Sequence, residues 1–209
     1  MPDFDSSAPS CLPRFRVLMV CTGNLYRSPL AECLLRERLA AARETIHVSS
    51  AGTEAVPGTP MAATAASLVT GWGGDPSGMV ARRLTAGLVE SSDLVLGAAR
   101  EHREAAVRLS PVRALSRAFS LREFARLVRA EDAAGVVDPA ARFAALVEGA
   151  AARRGSAPAD AADDDVSDPL GASPAEVREC MTRIEESVER IATAVLAGER
   201  ARPCVAESG

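Results

Sequence analysis

The sequence predicts an α/β fold, a parallel sheet covered by helices on both faces. Three observations carry this. Short apolar runs alternate with stretches of helical periodicity along most of the chain, as in strand–helix–strand units. The first apolar run, VLMV at 17–20, ends in Cys21 and passes through Gly23 and Asn24 into good helix formers. That is where such a sheet builds a site, beyond the carboxyl end of a strand. The chain has 209 residues, 47% of them hydrophobic, enough for one sizeable core and marginal for two.

The elements follow in order. Residues 1–13 are polar and Pro-rich and read as a disordered tail. Residues 15–20 read as a buried strand, then come the loop 21–27 and a helix over 28–42. IHVSSA at 46–51 is a second strand. A helix is expected over 61–70, a turn-rich loop over 71–78, a short helix over 85–91 and a third buried strand over 93–97. Residues 100–109 read as a helix, and 112–119 should hold a fourth strand. Leu121, Phe124, Leu127 and Val128 have helical spacing.

Residues 129–166 differ, being rich in Ala, Asp and Arg. They read as an insertion, helical or disordered, within a single domain spanning 14–197. Phe143, Leu146, Val147 and Ala150 allow one amphipathic helix, with Asp138 as N-cap and Pro139 at the first position. RRGSAPADAADDDV reads as a flexible acidic linker. Ser173 and Glu176 make a capping box around Pro174 ahead of a long helix to about residue 196. Val177, Cys180, Met181, Ile184, Val188, Ile191 and Val195 lie along one stripe of it. Residues 198–209 read as a flexible tail.

Composition narrows the function. The formal net charge is -4, which argues against a general nucleic-acid binder. Aromatics are scarce at 3%, so the expected core is Leu, Val and Ala. The five cysteines, Cys11, Cys21, Cys33, Cys180 and Cys204, form no C-x-x-C pair, and His47 and His102 are far apart. No structural zinc, other metal or cofactor is expected. The thiols point to a reducing cytoplasm, and the first residues lack the basic start and apolar run of a secretory signal. No apolar stretch is long enough to insert in a membrane.

The chemistry concentrates in VLMVCTGNLYRSPLAE, residues 17–32. A phosphate dianion needs many N–H donors, and the backbone of Thr22, Gly23, Asn24, Leu25, Tyr26 and Arg27 can curl round three of its oxygens. The helix beginning near Ser28 adds the positive end of its dipole. Arg27 supplies a bidentate fork that Lys would not. The same field stabilises a thiolate at Cys21, making it a nucleophile without a histidine base. The Ser28 hydroxyl can donate to that sulfur. A bare C-x5-R is weak, but strand, Gly-Asn turn, Ser-Pro and helix together are specific.

These residues closely resemble the phosphate-binding loop of the low-molecular-weight protein tyrosine phosphatases, a family that also contains thioredoxin-coupled arsenate reductases. VSSAGT at 48–53, ARRLT at 81–85, SDLVLGAAREH at 92–102 and DPLG at 168–171 follow in the family's order. The resemblance implies a flavodoxin-like three-layer sandwich on four parallel strands, and a two-step phosphatase acting without a metal. It implies Cys21 as nucleophile, Arg27 as phosphate clamp, and Asn24, Ser28 and Ser50 as supports of the loop. Asp168 falls where the family keeps its general acid. Asp138-Pro139 is the other Asp-Pro pair, best explained as a helix cap.

The chain departs from the family in places. Tyr26 stands where the family often has a second, protective cysteine. Leu170 and Gly171 stand where aromatic residues commonly wall the slot for a phosphotyrosine ring. Ala98-Ala99 replace a polar pair, and Met79 replaces a histidine that some members have in the loop network. Protein phosphotyrosine is the expected substrate. A small phosphorylated metabolite or phosphoarginine is a second reading, and a catalytically weak phosphate- or phosphoprotein-binding module a third. Arsenate reduction is disfavoured, because SDLVLGAAREH lacks the relay cysteine.

Overall fold

Four strands, β1 (Phe15–Cys21), β2 (Ile46–Gly52), β3 (Leu94–Gly97) and β4 (Ala118–Ser120), pair in parallel in the order β2-β1-β3-β4. The structure, a computed structural model, describes residues 14–155 and 164–198. β1 is central: Val17 to Val20 pair with Val48 to Ala51 on one side and with Leu94 to Gly97 on the other. Strand order changes direction at β1, so Cys21 lies at the carboxyl end of the strand where this architecture opens a crevice.

Parallel strands buried on both faces need apolar residues at every position. β1 supplies them: Val17 and Met19 face one layer, Leu18 and Val20 the other. The first layer holds α1 (Arg27–Arg38), α2 (Ala63–Gly71), α6 (Leu121–Leu127), α7 (Pro139–Arg153) and α8 (Pro174–Leu196). The second holds α3 (Ala86–Glu90), α4 (Arg100–Leu109) and α5 (Pro111–Ala114). This is the three-layer α/β sandwich expected.

Several expectations need correction. The helix expected over 28–42 stops at Arg38, and Ala40–Ala42 form a separate 3-10 turn. Of the stretch 112–119, most is not strand. Ser110-Pro111 starts α5 instead, and the strand pairs only over Ala118–Ser120, at the sheet edge against β3. The core is also less aliphatic than composition implies. Phe15 stacks on Phe143 with centroids 4.7 Å apart, and Phe143, Phe124 and Phe119 continue the chain of rings.

Phe143 belongs to the stretch read as an insertion, so α7 helps build the core on which β1 rests. Asp138 caps it, its Oδ2 accepting the Ala141 N–H at 2.7 Å. Of the stretch read as a flexible linker, Arg153 ends α7 and pairs with Asp132, and Arg154 lies 3.8 Å over the Phe119 ring. The linker's other end, from Asp164, is tied to the sheet, as described below. Residues 156–163 and the expected tails, 1–13 and 199–209, lie outside the described residues. Ser173 and Glu176 form the expected capping box, and α8 buries Cys180, Ile184, Val188, Ile191 and Val195.

Candidate active site

β1 delivers Cys21, and α1 begins at Arg27, so the intervening loop must turn sharply. Asn24 makes the turn: its φ is 55, in the left-handed region that Asn tolerates better than most residues. The side chain is then satisfied on every side. Nδ2 donates to Ser28 Oγ at 2.9 Å and to Ser50 Oγ at 2.8 Å, and Oδ1 accepts the Arg82 N–H at 2.9 Å. The Ser50 hydroxyl in turn donates to Glu32 Oε2 at 2.7 Å. Burial raises the Glu32 pKa, with Ser50, Arg36 and Arg82 acting in the opposite direction.

The sulfur sits inside this frame. Cys21 Sγ lies 2.9 Å from Ser28 Oγ and receives the Asn24 N–H at 3.3 Å. No acceptor among the described residues takes the N–H groups of Gly23, Leu25 or Tyr26. They are the free donors an oxyanion requires. Burial pushes Cys33 and Cys180 up to about 11, so both remain thiols at neutral pH.

Arg27 is 5% exposed. Its Nη1 donates to the Val166 carbonyl at 3.1 Å, and its Nη2 to Thr22 Oγ1 at 3.2 Å and Asp168 Oδ2 at 2.5 Å. Asp168 Oδ1 accepts the Leu170 N–H at 3.1 Å. The fold therefore brings Cys21, Arg27 and Asp168 to one crevice, while Asp138 is occupied as a cap. Residues read as a linker hold Asp168 there. Asp164 pairs with Arg126 at 2.8 Å, Asp165 Oδ1 takes the Arg100 N–H at the start of α4 at 2.7 Å, and the Val166 N–H bonds to Ala98 O at 2.8 Å. Asp164 and Asp165 read as solvated linker in the sequence because the partner of each lies far away along the chain.

Other departures from the family's pattern resolve into contacts. Met79 turns to Cys33, with the two sulfurs 3.0 Å apart, and leaves the loop network to Arg82, whose guanidinium donates to Ser50 O at 2.6 and 3.0 Å. Ala98 and Ala99 act through their backbone. Tyr26 packs against the core; its hydroxyl oxygen is buried, with Thr64 beside it but outside hydrogen-bond geometry, and burial raises its pKa. Leu170 is 81% exposed and forms no wall. The sequence alone does not reveal the roles of Arg82, Asp165 and His102; Arg82 lies within ARRLT and His102 within SDLVLGAAREH, while Asp165 lies in neither. Among the described residues, no group of three or more His, Cys, Asp or Glu is placed to hold a metal ion, and no helix is long and apolar enough to cross a membrane.

The sequence model of the low molecular weight phosphotyrosine protein phosphatases matches residues 16–148. The chain belongs to that family. Etp of Escherichia coli K12, a low molecular weight protein-tyrosine-phosphatase, is 38% identical over 95 residues, 46% of this chain and 62% of Etp. The chain thus spans less than two thirds of this curated relative's length. Among solved structures, the low molecular weight protein tyrosine phosphatase of T. tengcongensis superposes with a TM-score of 0.61 at 25% identity, over 85% of this chain and 97% of that one. The YwlE arginine phosphatase of Geobacillus stearothermophilus superposes at 0.64 with 21% identity, over 90% and 97%. The low molecular weight phosphatase match ends before Asp168, whose place in the site is therefore a matter of tertiary geometry.

Proposed function

We propose that the protein is a phosphatase that hydrolyses a phosphate monoester through a cysteinyl-phosphate, with phosphotyrosine of a protein as its substrate. The observation that carries this is the meeting of Arg27 with Cys21's loop on one side and Asp168 on the other. In the first step the Cys21 sulfur attacks phosphorus. The bond to the leaving oxygen breaks, and that oxygen takes its proton from Asp168. In the second step water attacks the phosphorus, gives a proton to the Asp168 carboxylate, and the P–S bond breaks. Ser28 donates to the departing sulfur, and Arg27 with the loop N–H groups holds the three phosphoryl oxygens throughout.

Arg27 is paired with Asp168. A phosphoryl dianion that claims the guanidinium releases the Asp168 carboxyl from that pair, free to face the leaving oxygen. Cys21 is 2% exposed, so a phosphate must reach it on an arm, and the tyrosine side chain is longer than that of serine. The three described cysteines are free, which fits a reducing, cytoplasmic setting.

The exposed Leu170, without a ring slot, favours a second reading in which the arm is a phosphoarginine side chain. There the broken bond is P–N and the proton goes to nitrogen. Turnover of phosphotyrosine, phosphoserine and phosphoarginine peptides separates these, with Cys21→Ser as the inactive control. Phosphotyrosine is expected to be preferred. Preference for phosphoarginine would install the second reading, and no turnover of any would leave a phosphate-binding module.

A further inference from the structure

We propose that His102 is a positioning residue of the phosphate cradle: by holding one lone pair of the Thr22 hydroxyl, it turns the hydroxyl proton toward the bound phosphoryl group. The proposal rests on the reading of this crevice as a phosphate site.

His102 is 1% exposed and sits in the first turn of α4. The position of its ring proton follows from its partners. Nδ1 lies 3.0 Å from the Ala99 nitrogen, whose N–H can only donate, so Nδ1 is the acceptor. In the neutral ring the proton is then on Nε2. Burial, with Arg27 nearby, lowers the His102 pKa to about 4, so the ring is neutral at working pH. Nε2–H has two acceptors, Thr22 Oγ1 at 3.0 Å and the more distant Glu101 Oε1 at 3.5 Å. It cannot accept the Thr22 proton.

The Thr22 hydroxyl has two lone pairs and one proton. His102 Nε2–H takes up one lone pair, and Arg27 Nη2, at 3.2 Å, takes up the other. What remains is a single donor, aimed away from both nitrogens. Thr22 follows Cys21 directly, and its Arg27 neighbour is the group that meets the phosphate. A donor so fixed adds a hydrogen bond to an oxyanion without rotor freedom to lose on binding. His102 itself has little room to move. A Cβ built on Gly97 would lie 2.9 Å from His102 Cβ and 2.8 Å from the Arg103 nitrogen, so the end of β3 presses against the first turn of α4.

The test is a double-mutant cycle read on orthophosphate affinity and on phenyl phosphate turnover. Glutamine carries an amide N–H near the place of Nε2; asparagine keeps an acceptor near Nδ1 and no donor at Nε2. Thr22→Val is expected to weaken orthophosphate binding and kcat about 10-fold, the scale of one hydrogen bond to a charged group, and Thr22→Ser, which restores the hydroxyl, should recover most of that loss. His102→Asn should match Thr22→Val, and His102→Gln should recover most of the loss. The Thr22→Val/His102→Asn double should be no worse than Thr22→Val alone. Circular dichroism and melting confirm that each variant is folded at the assay temperature.

Equal impairment by Gln and Asn, or losses that sum in the double, would overturn the proposal and leave His102 a packing residue. If His102→Asn does not fold, the 15N spectrum of the wild-type imidazole decides: a proton on Nε2 is required, and one on Nδ1 sinks the idea. Wild type that binds orthophosphate but turns over no ester would refute the phosphatase reading while the binding cycle still judges His102. Wild type that binds no orthophosphate would refute both.

Discussion

Gly52 lies directly beneath Thr22: a Cβ placed on Gly52 would stand 2.4 Å from the Thr22 carbonyl oxygen and 2.8 Å from the Asn24 nitrogen. Both atoms belong to the backbone of the loop between β1 and α1, so neither can swing aside. Gly52→Ala must therefore shift the loop. We expect a loss of about 1–3 kcal/mol in stability, as for other overpacked sites, and a larger proportional loss of p-nitrophenyl phosphate turnover. Urea unfolding and steady-state kinetics check both. A variant with unchanged kinetics would mean that the loop does not depend on this contact.

Asp168 and Asp138 each precede a proline, and geometry separates them. Asp168→Ala should cut turnover of phenyl phosphate by about 100-fold, at the lower end of what a general acid contributes. The loss should be smaller with p-nitrophenyl phosphate, whose leaving group needs less help. Asp138→Ala should leave both rates intact and cost about 1 kcal/mol through loss of the α7 cap. Reversal of the two phenotypes would overturn the assignment of the acid.

Arg142 is 4% exposed, and its guanidinium binds carbonyl groups from two distant segments. It donates to Val195 and Ala194 at the end of α8, at 2.8 and 3.0 Å. It also donates to Ala133 and Val136 ahead of α7, at 2.7 and 2.8 Å. Arg142→Met keeps the stem and strands these acceptors, which should cost about 3 kcal/mol or more. Thermal melting should record a large drop, while residual kcat at low temperature stays near wild type, since none of these bonds touches the crevice.

Two groups, one buried and one largely so, should give opposite slopes of stability against pH. The folded-state pKa of His102 is depressed to about 4. Folding therefore favours the neutral ring; that stability is complete above about pH 6.5 and is lost as pH falls toward 4. Glu101, Arg27, Asp165 and Asp168 are the charges near it. The loss is on the order of 3 kcal/mol, and His102→Gln should remove that part of the acid lability. Glu32 is the reverse case, a carboxyl whose folded pKa is raised by burial. Its contribution is present below the ordinary glutamate value and is lost as pH rises through the raised one. Glu32→Gln should flatten that window, and urea titrations across pH 4 to 8 distinguish the two slopes.

What the sequence determined by itself is the set of features whose parts are neighbours along the chain. The run from Val17 to Glu32 holds strand, turn and helix start within one window, so the cradle of Cys21, Asn24, Arg27 and Ser28 could be read directly. The Asp138 cap, the Ser173–Glu176 box and the α8 stripe are local in the same sense. Tertiary structure alone decided what depends on distant partners. Arg27 meets Asp168 across 141 positions and Thr22 meets His102 across 80. The acidic run ending in Asp164 and Asp165 resembled a solvated linker until Arg126 and the α4 amide were brought to it. The physical reason is that a hydrogen bond is specified by geometry at its two ends, and periodicity reports only the end in view. The Cys21 thiol and the Asn24 and Ser28 groups against it lie on one short stretch of chain; Asp168 and His102 reach the loop only through the sheet that gathers them.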